Sequence, residues 1–257
     1  MPGRSDWRSS SAAETLSQLD RAGFAWEFLR RNPDYRKDYS RIADDAEGGA
    51  QAAATIGERW GLVFRLPPEL PAADAPVVWR PELLPHSVIL VPAPDGFDKV
   101  RRFRLADLGS LSLAFRHSHD LHVLLQGTAG AHQLWLHGLC PGQPMAALIP
   151  LDEHVLLRVG GLLRLQRRLA GEALVPLPKG WALTARLRRR LVLMVRALDG
   201  HMAQATYREI ADALYGHGAV VRYSWKTSSI RGQTIRLVKD AVVAMQGGYR
   251  KLLRGGR

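Results

Sequence analysis

Eight of the fifteen prolines fall between positions 67 and 94, within LPPELPAADAPVVWRPELLPHSVILVPAP. Each lacks a backbone N–H, fixes φ near −65° and biases the preceding residue away from helix, so no long helix can cross this stretch. The apolar runs left between prolines, VVW and SVILV, have the length and β-branched content of short strands. Further on, KVRRFRLADL alternates, LSLAFRHSHDLHVLLQG is apolar and polar by turns, and HQLWLHGL follows the glycine-containing turn TAGAH. Residues 61–149 are therefore expected to hold a small, mostly antiparallel sheet. No internal repeat is visible.

The flanks follow the helical period. In LDRAGFAWEFLRRNPDYRKDYSRI, Asp20 is placed to cap a helix burying Ala25, Phe28 and Leu29. Asn32 and Pro33 then stop it and suit the cap and first positions of a second helix. The pair reads as a helical hairpin, with Phe24, Trp26, Phe28, Tyr35 and Tyr39 as its core or, alternatively, as a surface for a partner. ADDAEGGAQAAATIGERWG is a linker or a weak helix, closing an N-terminal module over residues 1–60. From residue 150 onward HVLLRVGGLLRLQRRLA is apolar nearly all round, which predicts a well-packed helix despite Gly160 and Gly161. VPLPKG breaks it. In LTARLRRRLVLMVRALDG, Leu187, Leu191, Met194, Val195 and Leu198 form one stripe, and Gly200 is expected to stop the helix.

Next comes ATYREIADALYG. Thr206 and Glu209 form a capping box, Tyr207, Ile210, Ala211 and Leu214 share a face, and Gly216 ends the helix. A capped helix between an amphipathic one and a helix with a polar leading edge is the order of a trihelical helix-turn-helix, although a plain three-helix bundle fits the same signals. The connection GHGAVVRYSW is long for such a turn and reads as an extended turn or a short hairpin wing. The fold class expected is α+β: a helical N-terminal module, a small central antiparallel sheet, and a C-terminal helical bundle over 150–257 with a variant helix-turn-helix.

Charge separates the ends. Residues 1–150 carry 16 Lys+Arg against 17 Asp+Glu, whereas residues 151–257 carry 20 against 7, so the net +12 divides as −1 and +13. A basic module attracts a polyanion through counterion release, nucleic acid before anionic membrane. No apolar run spans a bilayer and the first residues lack the apolar core of a signal peptide, so a cytoplasmic location is expected. Cys140 is the single cysteine.

On a helix, WKTSSIRGQTIRLVKD places Ile230, Leu237, Val238, Ala241 and Met245 on one stripe and Trp225, Ser229, Gly232, Gln233 and Arg236 opposite. Gln and Arg suit base edges, Ser and Thr reach phosphates or bases, and glycine permits close approach. Lys226, Thr227, Ser228 and Arg231 flank the entry, where helix-start amides also favour phosphate. Arg208 and Arg222 complete the candidate DNA-binding set. The polar face lacks acids until Asp240, unlike a solvated face carrying acid–base pairs.

RLRRRLVLMVRALDG, TYREIADALYG and WKTSSIRGQTIRLVKDAVVAMQGGYRKLL resemble the C-terminal DNA-binding domain of proteobacterial activators. That group includes the activator of type VI secretion genes and the excision activators, with their antiactivator, of integrative and conjugative elements. WRSSSAAETLSQLDRAGFAWEFLRRNPDYRKDY resembles the small regulator-like domain that precedes it in many members. The resemblance implies a variant helix-turn-helix that binds promoter DNA as an oligomer, a hexamer being one option. It carries DNA contact onto Lys226, Thr227, Ser228, Arg231 and Arg236. The expected function is a sequence-specific transcriptional activator of secretion or mobile-element transfer genes. Its expected partners are double-stranded DNA, further copies of the chain, and RNA polymerase or another regulator. The alternative is an antiactivator that uses the same domain to dock on another regulator.

Sharper chemistry finds less support. His117, His119 and His122 with Asp120 invite a metal reading, but their order is a permutation of known ligand runs, and polar strand residues or an oligomer surface account for them. Tyr249 in GGYRKLL as a strand-transfer nucleophile would need a base and a stabilising cluster, so packing is the expected role. With no nucleophile elbow or phosphate loop, no enzyme activity, metal or cofactor is expected.

Overall fold

The proline-rich stretch stays outside regular structure until its last residues, and the elements gather on either side of it. The computed structural model describes residues 7–43, 57–97, 99–102, 104–109, 111–117, 120–125, 131–138, 140, 142–172, 181–217 and 225–255. These divide into two compact units. One comprises described residues from 1–56, 65–77 and 183–257, and the other comprises those from 57–64 and 78–182. The chain is thus α+β, with helices at both ends and a sheet between.

The N-terminal helices are α1 (Ser10–Ser17), α2 (Arg21–Leu29) and α3 (Pro33–Ala43). Their starts are set locally, as the sequence predicts: Asp20 accepts from the Gly23 amide, and the Asn32 side-chain oxygen accepts from Asp34 and Tyr35 amides at 2.8 and 3.3 Å. Phe24, Trp26, Phe28 and Tyr35 are fully buried, which makes this aromatic group core rather than a partner surface. Tyr39, half-buried, lies 6.5 Å from Tyr35. The Trp26 indole N–H donates to the Leu70 carbonyl and the Tyr35 hydroxyl to the Leu66 carbonyl, so the first prolines run over these helices as an ordered strap.

The sheet has five strands: β1 (Val88–Pro92), β2 (Leu111–His117), β3 (Asp120–Leu125), β4 (His132–His137) and β5 (Met145–Leu148), in the order β2-β3-β4-β1-β5. Every pairing is antiparallel except β1 with β4, which is parallel. SVILV becomes β1. VVW does not become a strand: only Trp79 makes an isolated bridge, to Leu62, because Pro76 and Pro81 close the segment on both sides. Trp79 instead exchanges hydrogen bonds with the buried side chain of Gln133 on β4. Among the described residues, KVRRFRLADL likewise yields a bridge at Arg102 and a 3₁₀ turn over Leu105–Leu108 rather than a strand.

Helix α4 (Val155–Leu169) covers one sheet face. Its Leu165 joins Val88, Leu90, Val123, Leu125, Leu134 and Leu136 in a continuous apolar core. The helix is less completely packed than its composition predicts, since Leu156 and Leu163 are 80% and 57% exposed while Arg158 and Arg164 are buried. Arg158 is held by Asp152 at 2.6 Å, and the Asp152 carboxyl is correspondingly drawn down to about 2 by its hydrogen bonds from Arg158. Gly161 explains why α4 tolerates a glycine: a Cβ there would lie 2.4 Å from the His86 carbonyl oxygen. Gly161→Ala is expected to push helix from sheet and cost about 1–3 kcal/mol. Denaturant unfolding checks it, and an unchanged midpoint would show that the helix is free to shift.

The remaining helices return to the first unit: α5 (Ala185–Met202), α6 (Tyr207–Tyr215), α7 (Ser229–Val243) and α8 (Tyr249–Leu253), with a π turn over Ala244–Gly248 joining the last two. Leu191, Met194, Val195 and Leu198 of α5 are buried as the stripe predicts. Gly200 does not stop α5, which continues to Met202. It is a contact glycine, where a Cβ would meet Ile210 at 3.0 Å and Trp7 at 3.3 Å. The π turn depends on Gly247, whose φ of 130° favours glycine. Tyr249 is fully buried on α8, which packs on α2, and the Asn32 side chain donates to the Met245 carbonyl. No described helix is long and apolar enough to cross a membrane.

Candidate nucleic-acid interface

Three helices hold the candidate site. Helix α6 starts on the capping box read from sequence: the Thr206 hydroxyl accepts from the Glu209 amide at 3.3 Å, and the Glu209 carboxylate accepts from the Thr206 amide at 2.8 Å. Ile210 and Ala211 are buried, but Tyr207, expected on the same stripe, is exposed because it stands at the first turn beyond the packed part. Arg208 is exposed on this helix.

Helix α7 packs on both α5 and α6. Its buried side is Thr234, Leu237, Val238 and Ala241, continued by Met245, with Ile230 half-buried. Thr234 was missed by reading apolar residues alone: it is fully buried, and its hydroxyl is satisfied by the Ile230 carbonyl one turn back at 2.8 Å. A 3₁₀ turn over Trp225–Thr227 leads in, and the Ser228 hydroxyl caps the helix by accepting from the Ile230 amide at 3.2 Å.

The opposite side is polar and open. Ser229, Gln233 and Arg236 recur at i, i+4 and i+7 and are all exposed, with Lys226, Thr227 and Arg231 exposed around the helix start and Ser228 half-buried. Gly232 lies on this side with nothing within 4 Å of a Cβ added to it, so no packing within the described residues requires a glycine there. Lys226, Arg231, Arg236 and Arg208 have no carboxylate partner among the described residues. Farther along, Asp240 is paired with Arg190 of α5. Arg222 and most of the GHGAVVRYSW connection lie outside the described residues. Chemically, the face offers cations, amide and hydroxyl groups, and a capped helix start whose amides point outward.

The other candidate constellations look different. His122 is buried and stacks on Trp135, with ring centroids 5.8 Å apart and an interplanar angle of 14°. His119 and the His117 side chain lie outside the described residues. Burial pushes the Tyr249 hydroxyl up to about 12, and a fully enclosed, protonated phenol is unsuited to nucleophilic attack.

Residues 148–254 match the family model described as T6SS transcription factor, DNA binding domain. Its C-terminal region is thus a transcription-factor DNA-binding domain. Residues 6–65 match the proteobacterial transcriptional regulator-like domain, so both ends agree with the resemblance read from sequence. Residues 86–147 match a domain of unknown function. No curated protein matches the chain. Helices α5 to α8 fall within the DNA-binding match, which also takes in α4. The chain is accordingly a DNA-binding transcriptional regulator. The two families at its ends describe transcription regulators rather than enzymes.

Proposed function

We propose that this regulator activates transcription by laying the exposed side of α7 against promoter DNA. The observation that carries the reading is the composition of that side: Lys226, Arg231 and Arg236 lack acidic partners among the described residues and surround Ser229, Gly232 and Gln233. Arg236 and Gln233 read base edges, while Lys226, Thr227, Ser228, Ser229 and Arg231 hold phosphates and Arg208 and Arg222 extend the basic surface. The regulated genes are those of secretion or of mobile-element transfer. The protein acts as an oligomer, and activation requires contact with RNA polymerase or a second regulator.

The test is a footprint on the promoter of such genes at moderate salt, with two variants. Lys226→Ala is expected to weaken all DNA sites similarly and to reduce the slope of log affinity against log salt by about one, as loss of a phosphate contact does. Gly232→Ala fills open space, so it is expected to raise stability by roughly 0.5–1 kcal/mol while weakening specific binding if the backbone approaches the groove there. A protein that leaves no footprint and co-purifies with another regulator would instead be the antiactivator. An unchanged salt slope in Lys226→Ala would remove the start of α7 from the interface.

A further inference from the structure

An open cleft of about 430 Å³ lies between α1, the end of α2 and the proline-rich strap. All of its lining residues belong to one compact unit. Its volume falls in the range of small-molecule sites, and its lining has their usual make-up of apolar walls with a few convergent polar groups. Ala12, Leu16 and Leu19 form the apolar wall on the α1 side, and Pro71 and Ala73 form the wall on the strap side. The charged part comes from Glu27, Arg30 and Arg31.

These charges are not equally available to a ligand. Glu27 Oε1 accepts from the Ala72 amide at 2.7 Å, and Oε2 accepts from Arg30 Nε at 2.7 Å and from Arg31 Nη1. Arg31 spends its other two nitrogens, Nε and Nη2, on Asp199. Arg30 differs. Its Nε goes to Glu27 and its Nη1 to the Pro68 carbonyl at 3.2 Å, which leaves Nη2 with no hydrogen-bond partner among the described residues. The hydroxyls on the α1 side are engaged locally, Ser9 with Ser11 at 2.7 Å and Thr15 with the Ser11 carbonyl at 3.3 Å. Burial and the neighbouring Arg31 charge outweigh Glu27 and Asp199 and hold the Arg30 guanidinium below its ordinary 12.5, although it stays protonated. The local field thus favours an added negative charge at Arg30.

We propose that the cleft binds a small organic acid, with its carboxylate on Arg30 Nη2 and its hydrocarbon part between the α1 and strap walls. A charge-assisted hydrogen bond to a partly desolvated guanidinium holds the head, and burial against the apolar walls holds the body. A dianionic phosphate fits less well, because the Glu27 carboxylate beside the same guanidinium repels a second charge. A cationic ligand would meet Arg30 and Arg31 with the Glu27 oxygens already taken. Glu27 and Arg31 connect the cleft to Asp199 on α5, so an occupant braces α1, α2 and α5 together. The site shares no residue with the exposed side of α7, and its test does not depend on how α7 contacts DNA.

The experiment follows thermal unfolding of the full chain in rising hexanoate, with its neutral isostere hexanamide and inorganic phosphate as comparisons, all at equal ionic strength. The expected result is a saturable rise in the midpoint with hexanoate that neither comparison reproduces. Arg30→Gln, which removes the charged donor, is expected to weaken the apparent affinity for hexanoate roughly tenfold or more. Ala12→Phe fills the α1 wall without touching the ion cluster and is expected to weaken it by a similar factor. No saturable rise with hexanoate would overturn the proposal. An equal rise with hexanamide would overturn it by showing that the carboxylate is not recognised, and an equal rise with phosphate by showing a general anion effect. A rise that persists undiminished in either variant would place the acid elsewhere, for instance on the basic side of α7. Should Arg30→Gln fail to fold, Ala12→Phe and the hexanamide comparison decide.

Discussion

Arg31→Ala is expected to remove about 3–5 kcal/mol of stability, because it strips the cation from a buried ion cluster and leaves two carboxylates behind. Arg31 makes a two-point contact with Asp199, at 2.5 and 2.7 Å, and pairs with Glu27 from the other side. Glu27 also takes Arg30 at 2.7 Å and accepts from the Ala72 amide at 2.7 Å. The Arg31 guanidinium therefore joins α2 to α5, and Glu27 ties the same cluster to the proline-rich strap. Burial alone would raise the Glu27 carboxyl, but the Arg31 and Arg30 guanidiniums outweigh it and hold the group below its ordinary 4.5. With a depressed folded value, its contribution is present above the ordinary value and is lost as pH falls through the folded one. Denaturant unfolding should show the loss in Arg31→Ala, and acid unfolding of the variant should begin at higher pH than in wild type. A loss below about 1 kcal/mol would mean that the cluster is solvated and behaves as a surface pair.

For the DNA-facing side, the largest expected effect is that of Arg236→Ala. If Arg236 reads a base edge, its loss costs about 1–3 kcal/mol of affinity for the specific site and relaxes the preference at one base pair, leaving non-specific binding nearly unchanged. Arg236 is exposed two turns into α7 and is directed away from the buried Leu237–Val238 side. Folding should therefore be unaffected, with an unfolding midpoint within about 0.5 kcal/mol of wild type. Binding measured on the specific site and on a scrambled duplex separates the roles: an equal loss on both makes Arg236 a phosphate contact, and no loss on either removes it from the interface.

The sequence was most legible where a side chain serves its own backbone. Asp20, Asn32 and the Thr206–Glu209 box act across two or three residues, and each stands where its local pattern predicts. Periodicity likewise separated the two sides of α7, because a 3.6-residue repeat fixes which residues share a side wherever the helix packs. It failed where the partner is remote or missing. Gly200 has the local look of a helix stop, but its reason is Trp7 and Ile210 pressing on it. VVW has strand composition, yet strand formation requires a neighbour with free hydrogen-bonding groups, and its flanking prolines leave room for one bridge.

The amino-acid sequence by itself determined the class of this protein: helices where the period is 3.6, a sheet in the middle region, a basic C-terminal region and one helix with a polar, acid-poor side. Those properties are summed from neighbours along the chain. Only the tertiary structure decided that Arg31 meets Asp199, 168 positions away, that Gly161 of α4 lies against the His86 carbonyl, and that Thr234 is core while Leu156 faces water. Burial and charge pairing between distant segments depend on which elements pack together, and no local repeat encodes that choice.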